Sequence, residues 1–261
     1  MRHVTFFVIG LCLSLPVGAE EIITLPTRDG VTQSFLLTVP TKSPAAAAVL
    51  FPGGAGRINL RSEGGRIRFG AGNFLVRSRQ LFVDRGVAAA VMDVPSDQSG
   101  GMDDAFRLGD EHARGIRRVV DDLKKRFPGA PVFLVGTSRG TLSAAAAGRA
   151  LGNEVAGTVL TSTVFYGSRR FGSGLSGFDF ATIRTPVLFV HHADDGCSVT
   201  PYREAKNLAS TYPLVTVRGG DPPRSDPCEA FSEHGFLGRE APAVEAIVNW
   251  MLKKPYRAEI D

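Results

Sequence analysis

Residues 132–148 read VFLVGTSRGTLSAAAAG, and this stretch changes character in its middle. It starts with an apolar run typical of a buried strand and ends with small residues that favour a helix. Between the two runs, Ser138 stands two residues after Gly136 and two residues before Gly140. A sharp strand-to-helix turn lifts such a serine above the sheet edge, and glycines are needed because a side chain at either place would collide with its neighbours. The alternative interpretation is a serine that merely caps a closely packed helix.

The rest of the chain alternates predicted strands with predicted helices. A hairpin turning at Asp29-Gly30 comes first, and the later strands include AAAAVLF, VAAAVMDVP and PVLFV. Residues 103–127 have the spacing of one long amphipathic helix. This alternation predicts an α/β fold with a mostly parallel central sheet and helices on both faces. No linker divides the chain, so one domain is expected over residues 20–261.

Residues 1–19 have the pattern of a signal peptide. Arg2 is followed by an apolar stretch over residues 4–15 and by small residues that end at Ala19. The apolar stretch is shorter than the roughly 20 residues that a membrane-spanning helix needs. We therefore expect cleavage after Ala19, a mature chain without a membrane span, and a periplasmic or secreted location.

Composition and cysteine count narrow the class of protein further. Hydrophobic residues make up 43% of the sequence, which is enough for a globular core, and the net charge is +4. No nucleic-acid-binding motif accompanies that charge, and no Cys/His cluster has metal-ligand spacing, so neither a nucleic-acid partner nor a metal or cofactor is expected. Loss of Cys12 with the signal peptide leaves Cys197 and Cys228. In an exported protein this pair predicts a disulfide.

Three segments together resemble the α/β-hydrolase family. They are the G-x-S-x-G turn at Ser138, the segment TPVLFVHHADDGCSVTPY (residues 185–202) and the segment CEAFSEHGFLG (residues 228–238). The family carries its catalytic nucleophile, acid and histidine in that chain order. The resemblance implies that Ser138 is the nucleophile, Asp195 the acid and His234 the base. Asp194 stays open as the acid, because adjacent residues of a turn are hard to tell apart from sequence.

We do not expect the other histidines of the mature chain to be the catalytic base. His112 lies on the long amphipathic helix, where the solvated face is expected. His191 and His192 end a buried strand and are expected to be structural or to support the site.

The segment VLFPGGAGRI (residues 49–58) resembles the family's H-G-G segment, although Pro52 stands where histidine is commoner. In the family this loop supplies one backbone N–H to the oxyanion hole, and the residue after the nucleophile supplies the other. The resemblance therefore implies donors at Gly54 and Arg139, with Ala55 as the alternative to Gly54.

The segment that joins two late strands, between Phe165 and Val187, has no room for a lid domain. The resemblance is closest to small lidless members such as dienelactone-hydrolase-like esterases, from which the chain departs by having serine as nucleophile. It implies hydrolysis of carboxylic esters, small or carried on an acylated polymer, through an acyl-enzyme. A peptidase, thioesterase or acyltransferase would use the same residues, and a binding protein on the same scaffold is the non-enzymatic alternative.

Residues 57–79 are rich in arginine and contain Glu63 as their one acidic residue. These arginines are Arg57, Arg61, Arg66, Arg68, Arg77 and Arg79. A solvated charged face is one interpretation. A cationic rim that receives an acidic ester is the other.

Overall fold

The protein is described by a computed structural model that covers residues 19–168 and 172–261. The predicted signal peptide, apart from Ala19, lies outside the described residues. Within the described ranges, no helix has both the length and the apolar character that crossing a membrane requires.

A nine-stranded sheet forms the centre of the molecule, and its strand order is β1-β2-β6-β3-β7-β8-β9-β10-β11. The strands in chain order are β1 (Glu20–Arg28), β2 (Val31–Thr38), β3 (Ala46–Phe51), β4 (Arg61–Glu63), β5 (Arg66–Arg68), β6 (Val87–Pro95), β7 (Val132–Thr137), β8 (Gly157–Thr161), β9 (Val187–His192), β10 (Leu214–Val217) and β11 (Glu259–Ile260). Only β2 pairs antiparallel within this sheet, with β1 and β6, and the remaining pairs are parallel. The prediction of a mostly parallel central sheet is confirmed.

Helices cover both faces of the sheet. They are α1 (Phe74–Arg77), α2 (Arg79–Val83), α3 (Asp104–Leu108), α4 (Asp110–Arg126), α5 (Gly140–Leu151), α6 (Tyr202–Leu208) and α7 (Glu240–Met251). Alternate residues of β3 point to opposite cores, Ala47 and Val49 into one and Ala48 and Leu50 into the other. Helices α4, α5 and α6 contribute to the first core, and α1, α2 and α7 contribute to the second. Burial on both faces is why these strands are apolar throughout.

The prediction of a single helix over residues 103–127 is wrong, because the chain forms two helices, α3 and α4, which are separated at Gly109. Gly109 has an extended conformation (φ −82°, ψ 155°) and precedes the first residue of α4. The carboxylate of Asp103 accepts a hydrogen bond from the backbone N–H of Phe106, so α3 has its own N-terminal cap. The apolar spacing continues across the break, and spacing alone therefore did not reveal it.

Two strand pairings were not predicted. Strands β4 and β5 form a small separate hairpin on the surface. The short strand β11 closes the edge of the main sheet by pairing with β10.

Candidate active site

Ser138 occupies a sharp turn between β7 and α5. Its φ is +52°, a left-handed conformation that is strained for a residue with a side chain. Its N–H donates to the carbonyl of Thr161 at the end of β8 (3.0 Å), and its own carbonyl accepts from the hydroxyl of Thr141 (2.6 Å). These bonds hold the strained turn at the carboxyl edge of the sheet.

The glycines around Ser138 are required by close backbone contacts. A Cβ added to Gly136 would lie 2.4 Å from the carbonyl oxygen of Gly140, and a Cβ added to Gly140 would lie 2.0 Å from that of Phe51. A Cβ on Gly53 would lie 2.9 Å from the Cβ of Ser138. Side chains at positions 136 and 140 would therefore collide with the backbone, as the sequence predicts. Gly53 is required for a similar reason, because the end of β3 lies against the turn.

The carboxylate of Asp195 lies beside the ring of His234. His234 Nδ1 is 2.9 Å from Asp195 Oδ2, and the Asp195 side chain is completely buried. The N–H of Cys197 donates to Oδ1 and the hydroxyl of Thr200 donates to Oδ2, both at 2.9 Å. The side chain of Asp194 is 71% exposed and lies 4.0 Å from Nδ1 of a different histidine, His192. The structure thus brings Asp195, and not Asp194, to His234; Thr200, which sequence reasoning missed, supports the carboxylate.

The loop that carries His234 is held from both sides. Its carbonyl accepts from the hydroxyl of Ser162 (2.8 Å), and the next carbonyl, of Gly235, accepts from Arg77 (2.6 Å). With Nδ1 bonded to the acid, the other ring nitrogen, Nε2, is buried and has no hydrogen-bond partner among the described residues. Ser138 and His234 are bonded to consecutive residues, Thr161 and Ser162, so both lie beside the end of β8.

The two residues predicted to form an oxyanion hole lie next to each other. Gly54 follows β3 with φ +58°, and Arg139 immediately follows Ser138 in the turn before α5. A side-chain hydrogen bond joins them, from Arg139 Nη1 to the carbonyl oxygen of Gly54 (3.1 Å). Helix α5 begins at Gly140, directly after Arg139, so its positive N-terminal end lies at this turn. The loop after β3 is therefore hydrogen-bonded to the turn that carries Ser138.

The predicted disulfide between Cys197 and Cys228 is present. Cys197 belongs to the turn that carries Asp195, and Cys228 belongs to the loop that leads to His234. The bond therefore ties the acid's turn directly to the histidine's loop.

The expectation that His112 faces solvent is wrong, because its side chain is buried against α5. His112 Nε2 lies 3.0 Å from the hydroxyl of Ser143. Burial, with a smaller contribution from the positive charge of Arg107, lowers the pKa of His112 to about 3. Position 112 was expected on the solvated face of a continuous helix, and the real helix packs this position against α5.

His191 and His192 are buried at the end of β9. His191 Nε2 accepts from the N–H of Thr163 (2.9 Å), and burial lowers the pKa of His191 to about 3. His192 Nε2 lies 2.8 Å from the carbonyl oxygen of Gly219. Across residues 19–168 and 172–261, no group of three or more His, Cys, Asp or Glu side chains is arranged to hold a metal ion.

The arginines of residues 57–79 divide into two sets. Arg77 is paired with Glu240 (2.9 Å) and Arg79 with Glu20 (2.8 Å), and both are mostly buried. The remaining four are exposed to solvent: Arg57, Arg61, Arg66 and Arg68. The cationic surface is therefore smaller than the sequence suggested, and most of it lies on the β4–β5 hairpin.

The sequence matches no protein-family model and no curated protein. Its structure is similar to Est1E from Butyrivibrio proteoclasticus (TM-score 0.60, 16% identity, 89% of this chain and 98% of the other). It is also similar to XC6422 from Xanthomonas campestris (TM-score 0.59, 14% identity, 90% and 98%), described as an α/β serine hydrolase without a lid. A third similar structure is a cold-adapted esterase from an Arctic intertidal metagenomic library (TM-score 0.58, 16% identity, 90% and 93%).

These likenesses, over nearly the whole described chain, show that the protein has the α/β-hydrolase fold. Within this fold, the described residues correspond to the form without a lid domain. The connection from β8 to β9, residues 162–186, holds only one short 3-10 helix, Phe180–Thr182, among its described residues. The predicted fold class is confirmed, including the absence of a large lid domain.

Proposed function

We propose that the protein is a serine hydrolase that cleaves carboxylic esters through an acyl-enzyme, with Ser138, His234 and Asp195 as its catalytic residues. One observation carries the proposal. The His234 ring is bonded to a buried carboxylate through Nδ1, its Nε2 is unpartnered among the described residues, and it lies beside the strand end that holds the strained Ser138 turn. A binding protein would have no need of this arrangement.

The first half of the reaction forms the acyl-enzyme. His234 Nε2 takes the proton of the Ser138 hydroxyl while Oγ attacks the ester carbonyl carbon. The carbonyl π electrons move onto oxygen, and two backbone N–H groups bind that oxyanion: that of Arg139 and that of the loop residue Gly54 or its alternative Ala55. When the intermediate collapses, the bond to the alkoxy oxygen breaks, and the imidazolium of His234 gives its proton to the leaving alcohol.

The second half returns the enzyme to its starting state. His234 takes a proton from water while the water oxygen attacks the acyl carbon, which gives a second tetrahedral intermediate. When this intermediate collapses, the bond from the acyl carbon to Ser138 Oγ breaks, the imidazolium of His234 returns its proton to Oγ, and the carboxylic acid is released. Throughout, Asp195 keeps the N–H of His234 on Nδ1 and stabilises the imidazolium. The two further donors on Asp195, Cys197 and Thr200, keep its carboxylate in one orientation.

We propose small esters or acyl groups on a polymer as substrates, because the lidless fold leaves Ser138 half-buried rather than enclosed. Two of the similar structures are Est1E with ferulic acid bound and a cold-adapted esterase, which favours ester hydrolysis over the peptidase, thioesterase and acyltransferase alternatives. Export to the periplasm or the medium is part of the proposal, and the disulfide supports it because such bonds persist in oxidising compartments.

The four exposed arginines support an acidic ester as one substrate class. Three of them, Arg61, Arg66 and Arg68, lie on the β4–β5 hairpin, which we call the arginine hairpin. Glu63 is the one acidic residue of that hairpin, and it pairs with Arg61 at 3.3 Å. The remaining positive charge would attract a negatively charged substrate.

A fluorophosphonate probe tests the proposed function. The mature wild-type protein should be labelled at Ser138 and should hydrolyse p-nitrophenyl acetate. Ser138→Ala should abolish labelling and lower kcat by at least about 1,000-fold, because the attacking atom is gone. Ser198→Ala, at an exposed serine in the acid's turn, is the matched control and should behave as wild type. An unlabelled wild-type protein, or a folded Ser138→Ala protein with substantial turnover, would refute the proposal.

A further inference from the structure

Two buried guanidinium groups converge on the carbonyl of Gly54. Arg107 Nη2 and Arg139 Nη1 each donate to that oxygen at 3.1 Å. Arg107, on α3, is 1% exposed, and burial together with the charge of Arg139 lowers its pKa to about 9. Burying a cation costs free energy unless it is paired and hydrogen-bonded. The reaction steps proposed above give no role to Arg107.

The surrounding contacts hold both guanidiniums in place. Arg139 donates to Asp104 Oδ1 through Nε (2.9 Å) and Nη2 (2.7 Å), and Asp104 Oδ2 accepts from the N–H of Gly174 (3.0 Å). On the other side, Arg107 Nη1 donates to the hydroxyl of Ser143 (3.0 Å), which lies 3.0 Å from the neutral ring of His112. Asp104 pairs directly with Arg139 only, so the two cations lie under the loop beside a single carboxylate, which leaves one positive charge in excess.

The bonds to the Gly54 carbonyl also determine where one N–H group of the loop points. A peptide group is planar, so a fixed carbonyl fixes the direction of the N–H on the same peptide, which here belongs to Ala55. The preceding carbonyl, of Gly53, accepts from the N–H of Gly56 (3.0 Å), and this fixes the N–H of Gly54. The loop also packs on the guanidinium, since a Cβ added to Gly56 would lie 2.7 Å from Arg107 Nη2.

We propose that Arg107 is a positioning residue for the oxyanion hole. Together with Arg139 it holds the carbonyl of Gly54 and, through the same peptide group, the N–H of Ala55, so that this donor stays aimed at the oxygen that becomes charged in the transition state. Arg107 acts through the loop and touches no reacting atom. The inference rests on the proposed ester hydrolysis.

Arg107→Met tests this role because methionine fills the space without the charge or the hydrogen bonds. With p-nitrophenyl acetate, kcat should fall by about 10- to 100-fold, a partial loss of one oxyanion donor, while KM stays within about 2-fold. The affinity for a trifluoromethyl ketone, whose adduct mimics the tetrahedral intermediate, should fall by a similar factor. A purely structural role would not separate kcat from KM in this way.

Ser143→Ala is the matched control within the same cluster. It removes the partner of Arg107 on the side away from Gly54 but leaves Nη2 bonded to the Gly54 carbonyl and packed against Gly56, so the melting temperature should fall while kcat stays close to wild type. If Arg107→Met does not fold, Arg107→Lys decides: its ammonium keeps the charge but ends one bond short of the position of Nη2, so the bond to the Gly54 carbonyl is lost and kcat should again fall with KM unchanged.

Wild-type kcat and ketone affinity in the folded Arg107 variants would overturn this inference while leaving the proposed function standing. Equal losses of kcat in Ser143→Ala and Arg107→Met would also overturn it, because they would indicate general destabilisation. Failure of the wild-type protein to hydrolyse any ester would instead refute the proposed function itself.

Discussion

Removing the Cys197–Cys228 bond should lower both stability and turnover. The bond joins positions separated by 31 residues. The chain-entropy model for a loop of that length gives about 3.7 kcal/mol of stabilisation at 25 °C. For a chain of this size, each 1 kcal/mol shifts the melting temperature by about 2–4 °C, so the loss should be about 7–15 °C. Cys197→Ala with Cys228→Ser suits the sites, since Cys197 is buried and Cys228 is exposed.

Turnover should fall because the bond connects the two loops that carry Asp195 and His234. The N–H of Cys197 donates to Asp195 Oδ1, so movement of this turn shifts the carboxylate against the imidazole. A displacement of 1 Å costs about 100-fold in rate, and a smaller shift should lower kcat by about 10-fold. This loss should be present well below the melting temperature, where the variant is fully folded.

Three measurements on residues 20–261 check this prediction. Thiol titration of the unfolded, unreduced protein should find no reactive thiol, calorimetry should give the melting temperatures, and steady-state kinetics should give kcat for both proteins. Ser198→Ala, in the same turn, is the control for a local substitution without loss of the bond. Two reactive thiols in the wild-type protein would refute the premise, and an unchanged kcat in the folded variant would refute the link to catalysis.

The remaining predictions concern the acid, the buried histidines and the substrate. Asp195→Asn should lower kcat by about 10,000-fold because the imidazole loses its orienting carboxylate, whereas Asp194→Asn should stay within about 3-fold of wild type. Burial lowers the pKa of His112 and of His191 from 6.5 to about 3. Between these pH values the unfolded chain binds protons that the native protein does not, so stability should fall as pH falls, by up to about 1.4 kcal/mol per pH unit for each histidine. In urea unfolding, His112→Gln should reduce the loss of unfolding free energy per pH unit. Replacing all three arginines of the arginine hairpin with glutamine should raise KM for acidic esters more than for neutral ones, and high salt should shrink the difference.

Each of these predictions has a contrary outcome. A larger loss of kcat in the Asp194 variant would assign the acid to that residue. If the unfolding free energy of His112→Gln falls with pH as steeply as that of the wild type, protonation of this histidine does not account for the loss of stability in acid. Equal changes in KM for acidic and neutral esters would make the arginine hairpin an ordinary solvated surface.

Some features of this protein were predictable because they depend on residues close together in the chain. The strand, the turn at Ser138 and the following helix come from local periodicity and from glycines without which the backbones would collide. The parallel sheet follows from the repeated alternation of strand and helix. Local patterns failed at Gly109, because apolar spacing continues through a residue whose extended backbone separates two helices.

The sequence by itself determined the α/β class and the turn at Ser138, since sterics and periodicity act over a few residues. The order of the proposed catalytic residues along the chain came from the resemblance to the α/β-hydrolase family. The tertiary structure alone decided that Asp195 rather than Asp194 meets His234, across 39 residues of chain. It also decided that Arg77 pairs with Glu240, 163 residues away, instead of facing substrate, and that Arg107 lies under Gly54. Such contacts form between segments that are distant in sequence and that the fold brings to the same edge of the sheet. Because side chains adjacent in sequence point in different directions, they reach different partners at that edge.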